Sequence, residues 1–128
     1  MASALAGMRL LLVEDEALVS MMIEDFLTDM GCVVVSTAAS VSDGLAVIAN
    51  KASALDAAML DVNLGGEKVY PVADKLAQDG VPFFFSTGYS TAGIPTTYAH
   101  IPMLAKPFAP EALEAMLVSL FENAAQPA

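Results

Sequence analysis

The sequence predicts a three-layer α/β sandwich, a parallel sheet of five strands with helices on both faces. Three observations predict it. Short apolar runs alternate along the chain with stretches whose apolar residues recur at helical spacing. The runs are continuous, without polar alternation, as in strands covered on both faces. Parallel neighbours need a crossover of a dozen residues or more, and helical stretches stand between the runs to supply it.

Arg9-Leu10-Leu11-Leu12-Val13 reads as the first strand and stops at Glu14-Asp15-Glu16. From Ala17 the period changes. Leu18, Met22 and Phe26 fall at i, i+4 and i+8, joined by Ile23, Leu27 and Met30, so a helix with a broad apolar face is expected, ended by Gly31. Val33-Val34-Val35 is the second strand. Ser40-Val41-Ser42-Asp43 fits a capping-box pattern ahead of a short helix carrying Val41, Leu45, Ile48 and Ala49. Ala57-Ala58-Met59-Leu60 is the third strand, ending at Asp61. After Gly65-Gly66, residues 69–79 carry Val72, Ala73, Leu76 and Ala77 as a helix before Gly80. Residues 81–85 are the fourth strand and Pro102-Met103-Leu104-Ala105 the fifth. Pro110 suits the first position of a last helix striped by Leu113, Met116, Leu117, Leu120 and Phe121. Residues 88–101 hold two glycines, a proline, Ser90 and three threonines, so a short or frayed helix is expected there. One domain over residues 8–123 is expected, with 1–7 and 124–128 as loose termini.

The composition narrows the function. A chain of 128 residues is one domain, and 56% hydrophobic against 16% charged residues excludes disorder. Lys+Arg 5 against Asp+Glu 15 gives a net charge of -10, which repels phosphate backbones and anionic lipid. Neither nucleic acid nor a membrane surface is an expected partner; a cation or a basic protein is. The single cysteine, Cys32, excludes an internal disulfide and points to a reducing compartment. No apolar run approaches the ~20 residues of a membrane span, and the first residues lack the basic stretch of an export signal. A cytoplasmic location is expected.

Open parallel sheets bind ligands beyond the carboxyl ends of their strands. Glu14 and Asp15 stand past the first strand and Asp61 past the third; the fourth ends in Ser86-Thr87-Gly88 and the fifth in Lys106-Pro107. Clustered carboxylates cannot all stay ionised without a counter-ion, and their oxygens suit a hard divalent cation, Mg²⁺ above others. One carboxylate then serves as nucleophile and forms an aspartyl-phosphate. The metal, a lysine ammonium and a hydroxyl neutralise the phosphoryl oxygens during transfer. Each residue alone has a plainer reading: Asp15 or Glu16 as an acid at a helix start, Asp61 as a turn aspartate, Thr87 as a strand-end hydroxyl, Lys106 as a solvated lysine. Their common place at one sheet edge favours the site. No role is expected for His100; Cys32 reads as a small buried residue, and Met21, Met22, Met59 and Met116 as core filler.

Over nearly the whole chain these residues resemble the receiver domain of bacterial two-component response regulators. The resemblance implies a flavodoxin-like (CheY-like) fold with strand order 2-1-3-4-5. It implies that Glu14 and Asp15 hold Mg²⁺ with Asp61 and the backbone carbonyl of Asn63, and that Asp61 is the phosphoacceptor. Thr87 matches the hydroxyl that contacts the phosphoryl group, and Lys106 the lysine, with Pro107 following a bond usually cis in the family. A signalling domain is implied, one that promotes its own phosphorylation and dephosphorylation but is not otherwise an enzyme. Its partners would be a histidine kinase or histidine phosphotransfer protein as donor and a downstream protein target. Phe85-Ser86-Thr87-Gly88 is similar to the Phe-Ala-Thr-Gly subgroup of single-domain response regulators, with serine in place of alanine.

Two departures stand out. Gly65, followed by Gly66, replaces the proline that many receivers carry four residues after the aspartate, so a more flexible loop is expected. Met103 stands where the switch aromatic normally lies, with Tyr89 and Tyr98 the nearest substitutes. Two rivals fail on single residues. A calcium loop starting at Asp61 would need a bidentate glutamate where Val72 stands. A haloacid-dehalogenase-type phosphatase needs a second aspartate where Asn63 stands. The remaining alternative is a scaffold that binds its partner without phosphorylation.

Overall fold

The structure, a computed structural model, describes residues 5–88 and 94–125. In chain order it runs β1 (Arg9–Val13), α1 (Ala17–Asp29), β2 (Val33–Ala38), α2 (Val41–Lys51), β3 (Ala57–Asp61), β4 (Asn63–Leu64), β5 (Glu67–Lys68), α3 (Tyr70–Gln78), β6 (Phe83–Thr87), β7 (Met103–Ala105) and α4 (Pro110–Ala125). The five long-range strands pair in parallel in the order β2-β1-β3-β6-β7. With the β4–β5 hairpin set aside, that is the 2-1-3-4-5 order of a flavodoxin-like sandwich.

Alternation along the strands builds two apolar layers. Leu11, Val13, Ala58, Leu60, Phe83 and Phe85 face α2 and α3, where Ile48, Val72, Ala73 and Leu76 meet them. Leu10, Leu12, Ala57, Met59, Phe84 and Leu104 face α1 and α4, against Ile23, Leu27, Leu113 and Leu117. The two helices over the first layer approach closely because Gly44 has no side chain; a Cβ there would lie 3.1 Å from Val72 Cγ2. Ser40 caps α2 as its pattern predicts, its Oγ accepting from the Asp43 N–H at 3.1 Å.

Two expectations need correction. The 18–22–26 stripe is not the core face of α1: Leu18 and Met22 are exposed, as is Met21, while Ile23 and Leu27 are buried. Apolar residues surround this helix, so contact with the sheet, not spacing, selects the inward face. Met21 and Met22 are therefore not core filler, whereas Met59 is fully packed and Met116 partly so. The second correction concerns the start of the chain, where Leu5 is buried in the layer under α1 and α4 and the Gly7 N–H donates to the Gly31 carbonyl at 2.8 Å. At the other end, α4 continues to Ala125. The Gly65-Gly66 loop forms a hairpin turn. Both glycines have positive φ, +58° and +98°, and they join β4 to β5 with Asn63 opposite Lys68.

Within residues 88–101 the expected short helix is a 3₁₀ turn. Of these, 89–93, with Tyr89, lie outside the described residues, and the described part holds a 3₁₀ turn at Thr96–Tyr98. Tyr98 fastens this turn. Its ring stacks on Tyr70 at 4.7 Å and meets Phe85 edge-on at 5.9 Å, and its hydroxyl donates to Asp74 Oδ1. The hydrogen bond to Asp74, aided by burial, pushes the phenol's pKa up to about 12. The Lys106–Pro107 bond is cis. Among the described residues no helix is long and apolar enough to cross a membrane.

Tyr98→Phe should cost about 1 kcal/mol at neutral pH, the worth of one hydrogen bond. A raised folded-state pKa contributes stability below the unfolded value and loses it as pH rises through the folded one. The difference between the two proteins in denaturant melts should therefore hold below pH 10.0 and fade as pH approaches about 12.

Candidate functional site

Register aligns the strand ends. Val13 lies opposite Leu60, Asp61 opposite Ser86, and Thr87 opposite Ala105, so the residues that follow converge at one edge of the sheet. Alternation then sorts them by face. Asp61 follows Met59, Ser86 follows Phe84 and Lys106 follows Leu104, each two residues on, and Glu14 likewise follows Leu12; all four belong to the layer under α1 and α4. Thr87, in step with Phe85, belongs to the opposite face.

Three carboxylates meet there. One oxygen each from Glu14, Asp15 and Asp61 lies within 4.8 Å of the other two. Glu14 is buried, with its side chain only 1% exposed. Lys106 answers this charge: its Nζ donates to Glu14 Oε1 at 2.5 Å and to Asp61 Oδ2 at 3.2 Å. Burial by itself pulls the ammonium's pKa down. The hydrogen bond to Glu14 and the charges of Asp61 and Glu14 outweigh it, and the net shift is upward. Backbone donors hold the second oxygens of Glu14 and Asp61. The Glu16 N–H donates to Glu14 Oε2 and the Asn63 N–H to Asp61 Oδ1, both at 3.2 Å.

An open cavity lies above the carboxylates, lined by Asp15, Glu16, Asp61, Asn63, Gly65, Gly66, Gly88 and Lys106. The hairpin walls it closely; a Cβ on Gly65 would stand 3.6 Å from Asp15 Oδ2. The donor set is all oxygen, from convergent carboxylates, which fits a hard divalent cation such as Mg²⁺ and does not suit a soft metal.

Of the residues singled out in the sequence, the fold brings Glu14, Asp15, Asp61, Asn63 and Lys106 together. Thr87 is buried at the end of β6 and joined to Lys106 by its carbonyl, which accepts the Lys106 N–H at 2.9 Å; its side chain is not part of the cavity wall. Glu16, read as a helix-start acid, occupies the N-cap position of α1 without a side-chain cap and instead borders the cavity. Two residues were missed. Lys68 Nζ donates to Asn63 Oδ1 at 3.0 Å across the hairpin, a pairing that Gly-Gly between two short runs signals. Ser86 lies beside Asp61 on the same face, as period-two alternation from Phe84 requires.

Comparison with known proteins places these features. The family model described as the response regulator receiver domain matches residues 10–118. Among solved structures, the solution structure of SdrG from Sphingomonas melonis Fr1 is 41% identical with a TM-score of 0.77, covering 89% of this chain and 96% of that one. The BeF3-activated conformation of SdrG, from Pseudomonas melonis Fr1, is also 41% identical with a TM-score of 0.77, over 91% of this chain and 98% of that one. The receiver domain of the PhyR response regulator from Erythrobacter litoralis shares the fold at a TM-score of 0.84, with 23% identity over 98% of both chains. No curated protein matches.

Removing Lys106 strands a buried carboxylate. Lys106→Met should destabilise the protein by about 3 kcal/mol at neutral pH, the usual cost of breaking a buried pair on one side. Because the folded-state pKa of Lys106 is raised, its contribution is complete below 10.5 and is lost as pH climbs through the folded value. Chemical melts at neutral and strongly alkaline pH should show the deficit at the first and a smaller one at the second.

Proposed function

The chain belongs to the response regulator receiver family, and from this we propose that it is a phosphoacceptor signalling domain that takes a phosphoryl group on Asp61. The observation that carries the reading is the convergence of Glu14, Asp15, Asp61 and Lys106 at the strand ends, beside an open cavity. Glu14, Asp15, Asp61 and the backbone carbonyl of Asn63 would hold Mg²⁺. That ion supplies charge neutralisation on the phosphoryl oxygens.

The rest falls to the chain's own groups. An Asp61 carboxylate oxygen attacks phosphorus on a phosphohistidine donor; a P–O bond forms, the P–N bond breaks with its electron pair going to nitrogen, and the imidazole, protonated beforehand on its other nitrogen, leaves as the neutral ring. The Asn63 N–H on Oδ1 orients the carboxylate so that one oxygen faces the donor. Lys106, already within reach of Asp61, follows the charge as it moves onto the phosphoryl group. Thr87, at the end of the neighbouring strand and outside the cavity wall, would bring its hydroxyl to a phosphoryl oxygen by turning its side chain toward the site.

The donor in this reading is a histidine kinase or a histidine phosphotransfer protein in the cytoplasm. Output is by protein–protein contact with a downstream target. A net charge of -10 supports a protein partner over nucleic acid or an anionic membrane. That SdrG has been solved in a BeF3-activated conformation supports the phosphoryl chemistry, since it is the relative most alike at the sequence level of those described above.

Incubation with Mg²⁺ and a small-molecule phosphodonor should add one acid-labile phosphoryl group, seen by mass spectrometry of the intact protein. Asp61→Ala should abolish it. Asp15→Asn should weaken Mg²⁺ binding about tenfold or more, since cation affinity follows ligand charge. Full labelling of the alanine variant would move the phosphoacceptor elsewhere. No labelling of the unaltered protein would favour the constitutive scaffold.

A further inference from the structure

Among the described residues, Ser86 Oγ is the only buried side-chain nitrogen or oxygen without a hydrogen-bond partner. The residue is 1% exposed. Leaving a hydroxyl in this state costs about 1–3 kcal/mol. Alanine, the residue of the subgroup that this strand resembles, would occupy the position without that cost. The hydroxyl thus carries a cost that an apolar residue of similar size would avoid, and its surroundings show what it is placed to do.

Ser86 lies directly opposite Asp61 on β3 and opposite Leu104 on β7. Lys106 stands two residues beyond Leu104 on the same face, which makes it the diagonal neighbour of Ser86, a spacing that long side chains bridge. Its stem therefore runs over the end of β6 to reach Asp61 on the far side. The ammonium has three donors, and its acceptors are Glu14 Oε1 and Asp61 Oδ2. Both carboxylates also belong to the cluster suited to a divalent cation. A cation drawing on those oxygens competes with Lys106 for them. The lysine side chain is only 22% exposed, so water cannot fully replace what it loses. A hydroxyl with two vacant lone pairs lies beneath its path.

Resting on the reading of the site given above, we propose that Ser86 is a positioning residue: its Oγ accepts a hydrogen bond from the Lys106 ammonium when a divalent cation claims Glu14 and Asp61. The hydroxyl then keeps the lysine charge beside Asp61 instead of letting it swing out. No covalent step is involved. The orphaned oxygen is satisfied in the cation-loaded state, and its cost in the cation-free state adds to the preference for loading.

Calorimetric titration with MgCl₂ tests this in four proteins: unaltered, Ser86→Ala, Lys106→Met, and the double variant. Ser86→Ala should bind Mg²⁺ about tenfold more weakly, the equivalent of one hydrogen bond to a charged group. Its melting temperature without Mg²⁺ should not fall, which separates the effect from damage to the fold. In the Lys106→Met background the same change should alter affinity by less than about twofold, because the cycle isolates the pair. Nuclear magnetic resonance gives an independent signature. Exchange of the Lys106 ammonium protons should slow on Mg²⁺ loading of the unaltered protein and stay fast in Ser86→Ala. Affinity in Ser86→Ala within about twofold of the unaltered protein would overturn the proposal, as would a tenfold loss that persists without Lys106. An unaltered protein that binds no Mg²⁺ would overturn the metal-site reading itself, and this inference with it.

Discussion

One ammonium held between two carboxylates organises this molecule's functional edge. Lys106 reaches from the segment after β7 to Asp61 at the end of β3 and to Glu14 just past β1, so a single cation ties three strands together where backbone pairing stops. Burial makes the arrangement exacting. Glu14 without a counter-charge would be an uncompensated ion in a low-dielectric setting, and the desolvation of both partners offsets much of their attraction. Such a cluster adds little to stability by existing and much cost when it is broken. A site of this kind favours added positive charge, which agrees with an edge rich in carboxylate oxygens in a chain of net charge -10.

The remaining structure serves to bring those strand ends level. Parallel pairing sets the register, and the layers on either side of the sheet keep the strands from sliding, since a one-residue slip would exchange core and site residues. The β4–β5 hairpin completes the wall. Two glycines in left-handed conformation turn the chain tightly enough for Asn63 to direct its N–H at Asp61 while its side chain is held by Lys68. Receivers with proline near this point restrict the loop by the ring; here cross-strand pairing restricts it instead.

Much of this was legible in the sequence for a physical reason. A buried parallel strand must be apolar along its length and its ligand-bearing end must be polar, so Leu12-Val13-Glu14-Asp15 and Met59-Leu60-Asp61 announce both the strand and the site. The facing of α1 was not legible. Leu18, Val19, Met21, Met22, Ile23, Phe26 and Leu27 offer more than one apolar stripe, and only the sheet decides that Ile23 and Leu27 turn inward. The exact pairing within the edge was hidden as well. The strand ends bring Lys106 to the edge that holds Glu14 and Asp61 but do not choose its hydrogen-bond partners, and the orphaned oxygen of Ser86 is visible only once its neighbours are in place. The Gly65-Gly66 pair is ambiguous in sequence, because glycine signals both mobility and tight hairpins.

The aromatic stack on α3 has a spectroscopic consequence. The chain has no tryptophan and 3 tyrosines, so tyrosine governs its near-ultraviolet absorption and emission. Two of the three, Tyr70 and Tyr98, are parallel to within 12° at 4.7 Å, close enough for their transitions to couple. Both touch Phe85, which precedes Ser86 and Thr87 on β6. A displacement at the end of that strand that moved Phe85 would reach a pair of coupled chromophores, which places a label-free dichroic probe against the strand that leads to the functional edge.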